Sequence, residues 1–265
     1  MKKVGIVLIK NQNKNYPAGD FCSPECIELL KEADIVVTNP PFSLWREFLA
    51  QLMEYDKKFL ILGNQTAISF KEVFPFLKEN KIWIGASRKS VSFKTSFSLE
   101  PKKFGNIRWF TNLKLNYKVK PLDLSRNHYT PEKYPKYDNY DAINVDKVAD
   151  IPCDYPGIMG VPITFMDKYC PEQFEIVGIS SGRKEFSREA CPTVKYINPV
   201  QHNTDGTIES GSKTNTGATI ATNDTSRIYY TADNTPNKLK LIYMRILIKN
   251  KHPENSKQNA GLKPA

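Results

Sequence analysis

The stretch Ala33-Asp34-Ile35-Val36-Val37-Thr38-Asn39-Pro40-Pro41-Phe42-Ser43 is an apolar run that ends abruptly in Asn-Pro-Pro-Phe. Asp34 to Thr38 is short, β-branched and uninterrupted, which predicts a parallel strand buried on both faces. Two consecutive prolines fix φ and remove two amide donors, so the strand stops there and the carbonyls before and between them are left as acceptors. Open α/β sheets bind ligands at the carboxyl ends of their strands. Asn-Pro and Pro-Pro are also ordinary turn dipeptides, and it is the preceding strand that distinguishes a functional corner from a plain turn.

Methyl transfer to an exocyclic or amide nitrogen needs such a corner. That nitrogen is a poor nucleophile because its lone pair is delocalised into the ring or carbonyl. If the side-chain oxygen of Asn39 and the backbone carbonyl of Pro40 each accept one N–H, the lone pair can turn toward an incoming methyl group without prior loss of a proton. Catalysis of this kind is positioning and electrostatic preorganisation. Phe42, one step beyond Pro41, is placed to stack on a planar base swung out of a duplex.

These residues carry a resemblance. Gly19-Asp20-Phe21, the run from Glu28 through Ser43, the run Tyr55-Asp56-Lys57-Lys58-Phe59-Leu60-Ile61-Leu62-Gly63-Asn64, and the later blocks Ile151-Pro152, Asp154-Tyr155 and Gly157 to Phe165 resemble the EcoRI-type adenine-specific DNA methyltransferase family. The likeness runs from about Gly19 to Lys249. It implies an α/β fold: a partial Rossmann-like methyltransferase sheet that uses S-adenosylmethionine, followed by a mixed α/β target-recognition region. It implies N6-methylation of a flipped adenine in double-stranded DNA within a restriction-modification system. Asn39, Pro40, Pro41 and Phe42 are then the catalytic residues, and Asp20, Phe21 and Asn39 face the cofactor. For Asp20 and Phe21 a second reading stays open, in which the first is a turn residue and the second packs in the core.

The family pattern also includes a glycine-rich turn ahead of this corner to cradle the cofactor. Only Gly5 and Gly19 precede Asn39, so no closely spaced glycine turn forms there, and Met1 to Ala18 is shorter than the roughly thirty residues of one βαβ unit. The chain therefore reads as a family member without its amino-terminal cofactor lobe. Two functions follow: an adenine methyltransferase, or a non-catalytic DNA-binding fragment or half of a split enzyme whose amino-terminal half is a separate chain.

Composition bounds the rest. At 265 residues and 40% hydrophobic, the chain buries a substantial core. No apolar run approaches the length of a membrane span, and the first ten residues are too short in their apolar part for a signal peptide and read as a strand. Cys22, Cys26, Cys153, Cys170 and Cys191 show no paired C-x-x-C spacing, so reduced cytoplasmic thiols and no metal site are expected. His128, His202 and His252 stand isolated in polar stretches.

The net charge of +10 is concentrated in one region. Between positions 86 and 136 there are twelve Lys or Arg against three acidic residues. Arg88, Lys89, Lys94 and Arg108 among them are interleaved with Phe93, Phe97, Trp109 and Phe110, giving cations for phosphates and rings for unstacked bases. Arg183, Lys184 and Arg188 are further candidates for DNA contacts.

The predicted organisation is a truncated catalytic core over 1–86, the end of the catalytic sheet with the target-recognition region over 87–249, and a polar tail over 250–265. Within it, Ser43 caps a helix to Tyr55 with Leu44, Phe48, Leu49 and Leu52 on its apolar stripe. Phe59–Leu62, Lys81–Gly85, Asn106–Leu113, Phe174–Ile179 and Leu239–Ile248 read as strands. Tyr129–Asp141 reads as linkage, and Gln201–Thr225, rich in Thr, Asn, Ser and Gly, as a mobile loop.

Overall fold

The computed structural model describes residues 16, 19–84, 91–95, 98–114, 120–180 and 192–254. The amino-terminal strand, Arg88, Lys89, Arg183, Lys184, Arg188, Cys191 and most of the polar tail lie outside the described residues. The chain is mixed α/β and divides into two compact units, one of residues 1–77 with 81–114, the other of 78–80 with 115–265.

In the first unit α1 (Pro24–Glu32) starts under a side-chain cap, with Ser23 Oγ accepting the Cys26 amide at 3.2 Å and Pro24 in the first turn. Cys22 precedes this cap, so it does not share a helix with Cys26. Lys57 Nζ donates to the Lys31 and Ala33 carbonyls near the other end of α1, where the helix dipole favours a cation. Next come β1 (Ile35–Thr38), α2 (Trp45–Glu54), β2 (Lys58–Asn64), α3 (Phe74–Lys78), β3 (Trp83–Ile84), the hairpin strands β4 (Val91–Thr95) and β5 (Ser98–Phe104), and β6 (Ile107–Thr111). The sheet order is β1-β2-β6-β3; β1 and β2 are parallel, and β6 runs antiparallel to both β2 and β3. Insertion of β6 between β2 and β3 draws the segment after position 86 back into the first sheet.

Two expectations are corrected here. β1 is parallel, but it is not buried on both faces. It is an edge strand, with β2 its one neighbour among the described residues, and Ile35 and Val37 are 49% and 64% exposed. Ser43 is not a helix cap either. The Pro41 carbonyl accepts the Leu44 amide at 3.1 Å, so Phe42–Leu44 forms a 3₁₀ turn and α2 begins after it. Leu44 is consequently exposed, while Trp45, Leu49 and Leu52 are buried.

The second unit contains β7 (Ile143–Asn144), β8 (Ile158–Pro162), β9 (Phe174–Ile179), β10 (Val200–His202), β11 (Ile208–Ser210), β12 (Thr219–Ala221), β13 (Tyr229–Ala232), β14 (Thr235–Leu241) and β15 (Arg245–Asn250). One sheet has the order β7-β8-β15-β9 and buries Met159, Val161, Phe174, Ile176, Ile246 and Ile248. The other is antiparallel, β11-β10-β13-β14-β12. The single strand expected over Leu239–Ile248 is two strands in different sheets, β14 and β15, with Tyr243 exposed between them. Hydrophobicity is continuous through this run, but its pairing partners change.

Tyr129–Asp141 forms no helix or strand, as linkage would, but it also sends side chains into the core. Tyr134, Tyr137 and Tyr140 are buried; Tyr134 Oη donates to the Asp150 carbonyl and Tyr137 Oη to Asn144 Oδ1. A Cβ at Gly160 would run into the Tyr137 hydroxyl, so the close approach requires glycine. The supposed loop Gln201–Thr225 supplies β10, β11 and β12. Hydrogen bonds hold it where apolar packing would otherwise serve: Asn139 Nδ2 donates to the Thr214 and Gly217 carbonyls, while Asn139 Oδ1 accepts from the Thr219 amide and hydroxyl. Tyr196 Oη donates to Asp138, and burial pushes its ionisation up. Among the described residues, no helix is long and apolar enough to cross a membrane.

Candidate active site

The corner follows directly from β1. Thr38 pairs with Ile61 of β2, and both parallel strands end on the same side of the sheet. Pro40 is buried, whereas Asn39 and Pro41 are exposed and Phe42 is 48% exposed. Among the described residues, no hydrogen bond engages the Asn39 side chain or the Pro40 carbonyl. The lone pairs expected to accept an amino group are thus unspent.

What holds the corner is the start of α2. Trp45 Nε1 donates to the Leu62 carbonyl at 2.8 Å, and its ring meets Phe110 edge-on at 4.9 Å. The indole lies over Gly63, where a Cβ would come within 2.7 Å of Nε1. Register places Val36 and Thr38 on this same face, so Ile35 and Val37 occupy the other. Sequence reasoning missed Trp45, and it placed Gly63 at the close of a strand without its packing role, although a glycine in an apolar strand marks a close backbone approach.

Past the end of β2, Asn64 Oδ1 accepts from the Thr66 amide and hydroxyl and starts a 3₁₀ turn. Gln65 is buried there, and its Nε2 has no hydrogen-bond partner. It is a second unspent polar group following a parallel strand, and the polar run Asn64-Gln65-Thr66 after an apolar strand was its signal.

Phe21 is tied to α2, and Asp20 to the turn that follows it. Asp20 Oδ1 accepts the Cys22 amide at 2.9 Å, the Phe21 ring packs edge-on against Phe48 at 5.2 Å, and Gln51 Nε2 donates to the Phe21 carbonyl. Burial first, then the Asp20 carboxylate, pushes the Cys22 thiol up, so no activated thiolate stands beside this turn. The turn role of Asp20 and the packing role of Phe21 are both filled locally.

The family pattern described as adenine-specific methyltransferase EcoRI matches residues 2–251. The chain belongs to the EcoRI-type adenine-specific methyltransferase family. It is 49% identical over 202 residues to the Type II methyltransferase M.EcoRI of Escherichia coli, a match covering 68% of this chain and 61% of that protein. It is 44% identical over 177 residues to M.MgeORF184P of Mycoplasma genitalium and 43% identical over 177 residues to M.MpnI of Mycoplasma pneumoniae, in both cases over 60% of this chain and 56% of the relative. The chain thus spans about three-fifths of the length of the curated relatives it matches. No solved structure matches it.

Of the basic residues singled out in this member of the EcoRI-type family, Arg108 departs from an exposed phosphate contact. It is 7% exposed, and its Nη1 donates to the Gly105 and Ile107 carbonyls at 2.7 and 3.0 Å. It stands inside β6, where the strand's inward positions are core, so the charge count along the chain did not translate into a surface. Lys94 stands on β4, its side chain outside the described residues, and Lys103 is exposed on β5. In the second unit, spacing missed that His128 meets Cys153 and Asp154, since 25 residues separate them.

Proposed function

We propose that this chain carries the adenine-activating and DNA-recognition parts of a site-specific DNA adenine-N6 methyltransferase of a restriction-modification system. The observation that carries the reading is the pair of unspent acceptors, Asn39 Oδ1 and Pro40 C=O, at the carboxyl end of a parallel strand beside a half-exposed Phe42. Family membership supports S-adenosylmethionine as the methyl source and duplex DNA as the partner.

The residues present fit that cofactor in part: an acidic turn at Asp20 and the orphaned Gln65 amide offer polar contacts, and β1 and β2 form a portion of a Rossmann-like sheet. Bound S-adenosylmethionine supplies an electrophilic methyl group. Asn39 and Pro40 accept the two N–H bonds of the adenine amino group and turn its lone pair out of conjugation. Phe42 stacks on the extruded base, replacing part of the stacking lost from the duplex. Pro40 and Pro41 fix the backbone so that these acceptors are set before substrate arrives.

A second reading, in which a methyltransferase half on a separate chain completes the sheet, is favoured by Ile35 and Val37, the exposed apolar residues of edge strand β1. Transfer of labelled methyl to duplex DNA, followed by digestion to nucleosides, tests the function. Label in N6-methyladenine supports it, and label in cytosine or protein overturns it. The chain with and without the unmatched portion of the E. coli relative distinguishes the two readings.

A further inference from the structure

We infer that His128, Cys153 and Asp154 form a zinc site in the second unit. His128 Nδ1 lies 3.3 Å from Asp154 Oδ2 and 3.5 Å from Cys153 Sγ, and the three ligand atoms all lie within 4.8 Å of one another. A tetrahedral zinc, with N and O ligands at about 2.0–2.1 Å and S at about 2.3 Å, separates adjacent ligand atoms by about 3.3 Å for N to O and about 3.6 Å for N to S. The two short distances are those of such a polyhedron.

Hydrogen bonding through Nδ1 joins His128 strongly to only one of the other two groups at a time. If Nδ1 carries a proton, it donates to Asp154 and the thiol has only its weak sulfur acceptor to offer the ring. If Nδ1 is bare, it accepts from the thiol and meets the Asp154 carboxylate lone pair to lone pair. One cation at the centre satisfies all three donors at once.

The surroundings hold the ligands in place. Asp154 Oδ1 accepts the Tyr129 amide at 2.8 Å, which leaves Oδ2 to face His128. The Cys153 amide donates to the Asn127 carbonyl, and the Cys153 carbonyl accepts from Asn250 Nδ2 and the Glu254 amide. These are the outer partners that orient metal ligands. Cys153 is buried while the His128 ring is half exposed, so a metal ion has an entry path. A cavity of about 490 Å³ lined by Cys153, His252 and Glu254 adjoins the thiol, so a water can take the fourth position. Zinc here would clip two stretches together, the 127–129 loop and the 153–154 loop.

The test is titration of the metal-stripped full chain with cobalt(II), followed by displacement with zinc. One equivalent of cobalt should produce the intense visible bands of a tetrahedral ion with a near-ultraviolet thiolate band, and zinc should abolish both and raise the melting temperature. Loss of an outer-shell partner alone weakens zinc binding about 10–100-fold, so His128→Gln should weaken it by about 100-fold or more. Cys153→Ser should remove the thiolate band, and the Cys22→Ser/Cys26→Ser double variant should leave it unchanged. A folded wild-type chain that gives no such bands overturns the site, as does a band that disappears in the Cys22/Cys26 variant. The wild-type chain and that double variant decide the matter even if the Cys153 variant does not fold.

Discussion

Asn39 and Asn139 carry the same side chain and do opposite things. Asn139 is fully buried and uses both of its amide atoms twice, on Thr214, Gly217 and Thr219. Asn39 is exposed and, among the described residues, uses neither. In the second unit a satisfied asparagine replaces apolar packing in a segment with little to bury. In the first, an unsatisfied one sits where a strand has been stopped by two prolines. An amide that the fold has not consumed is free for another partner, and the contrast between the two separates a polar residue that builds from one the fold leaves unused.

Exchanging each asparagine for alanine is the sharpest way to break the comparison. Asn39→Ala should lower the rate of methyl transfer by about 100–1000-fold, the scale of losing one preorganised transition-state hydrogen bond, with the melting temperature and DNA affinity unchanged. Equal loss of DNA binding would make Asn39 a contact residue. Asn139→Ala should do the reverse, destabilising the second unit by about 3 kcal/mol because the Thr219 amide and two carbonyls lose their buried partner; urea denaturation reads this directly.

Gly63→Val tests the link between packing and chemistry. The new side chain collides with the Trp45 indole, costing about 1–3 kcal/mol as overpacking does, and α2 must shift together with the 3₁₀ turn it continues. Stability and methyl transfer should fall together, in contrast to either asparagine variant. Phe42→Ala should have the smallest effect: about 1 kcal/mol of base stacking, seen as reduced fluorescence of 2-aminopurine at the target position, with no change in unfolding.

The end of β1 at the corner was legible because its cause is local. Pro40 and Pro41 stop a strand wherever they occur, and the flanking blocks carry the family resemblance. β9, over Phe174–Ile179, was legible for a similar reason, since six residues between turns suffice to define it. Exposure of β1 was not legible, because burial on both faces depends on neighbours that a β-branched run cannot specify. The ordered 201–225 segment was missed because composition registers apolar content, and this segment is held by hydrogen bonds from Asn139, Tyr196 and Gln201. Arg108 misled because a cation's place on a charge map says nothing about which way its strand position faces. His128 and Cys153 are brought together by a loop contact across 25 residues, for which no motif spacing exists.

The central claim is that the unspent Asn39 and Pro40 acceptors activate an adenine amino group. Its most direct test is methyl transfer from labelled S-adenosylmethionine to duplex DNA by the wild-type chain and by Asn39→Ala, each with the unmatched portion of the E. coli relative present, followed by digestion to nucleosides. The account predicts N6-methyladenine from the wild-type chain and a loss of about 100-fold or more in the variant. Adenine methylation that proceeds equally well in both would contradict it.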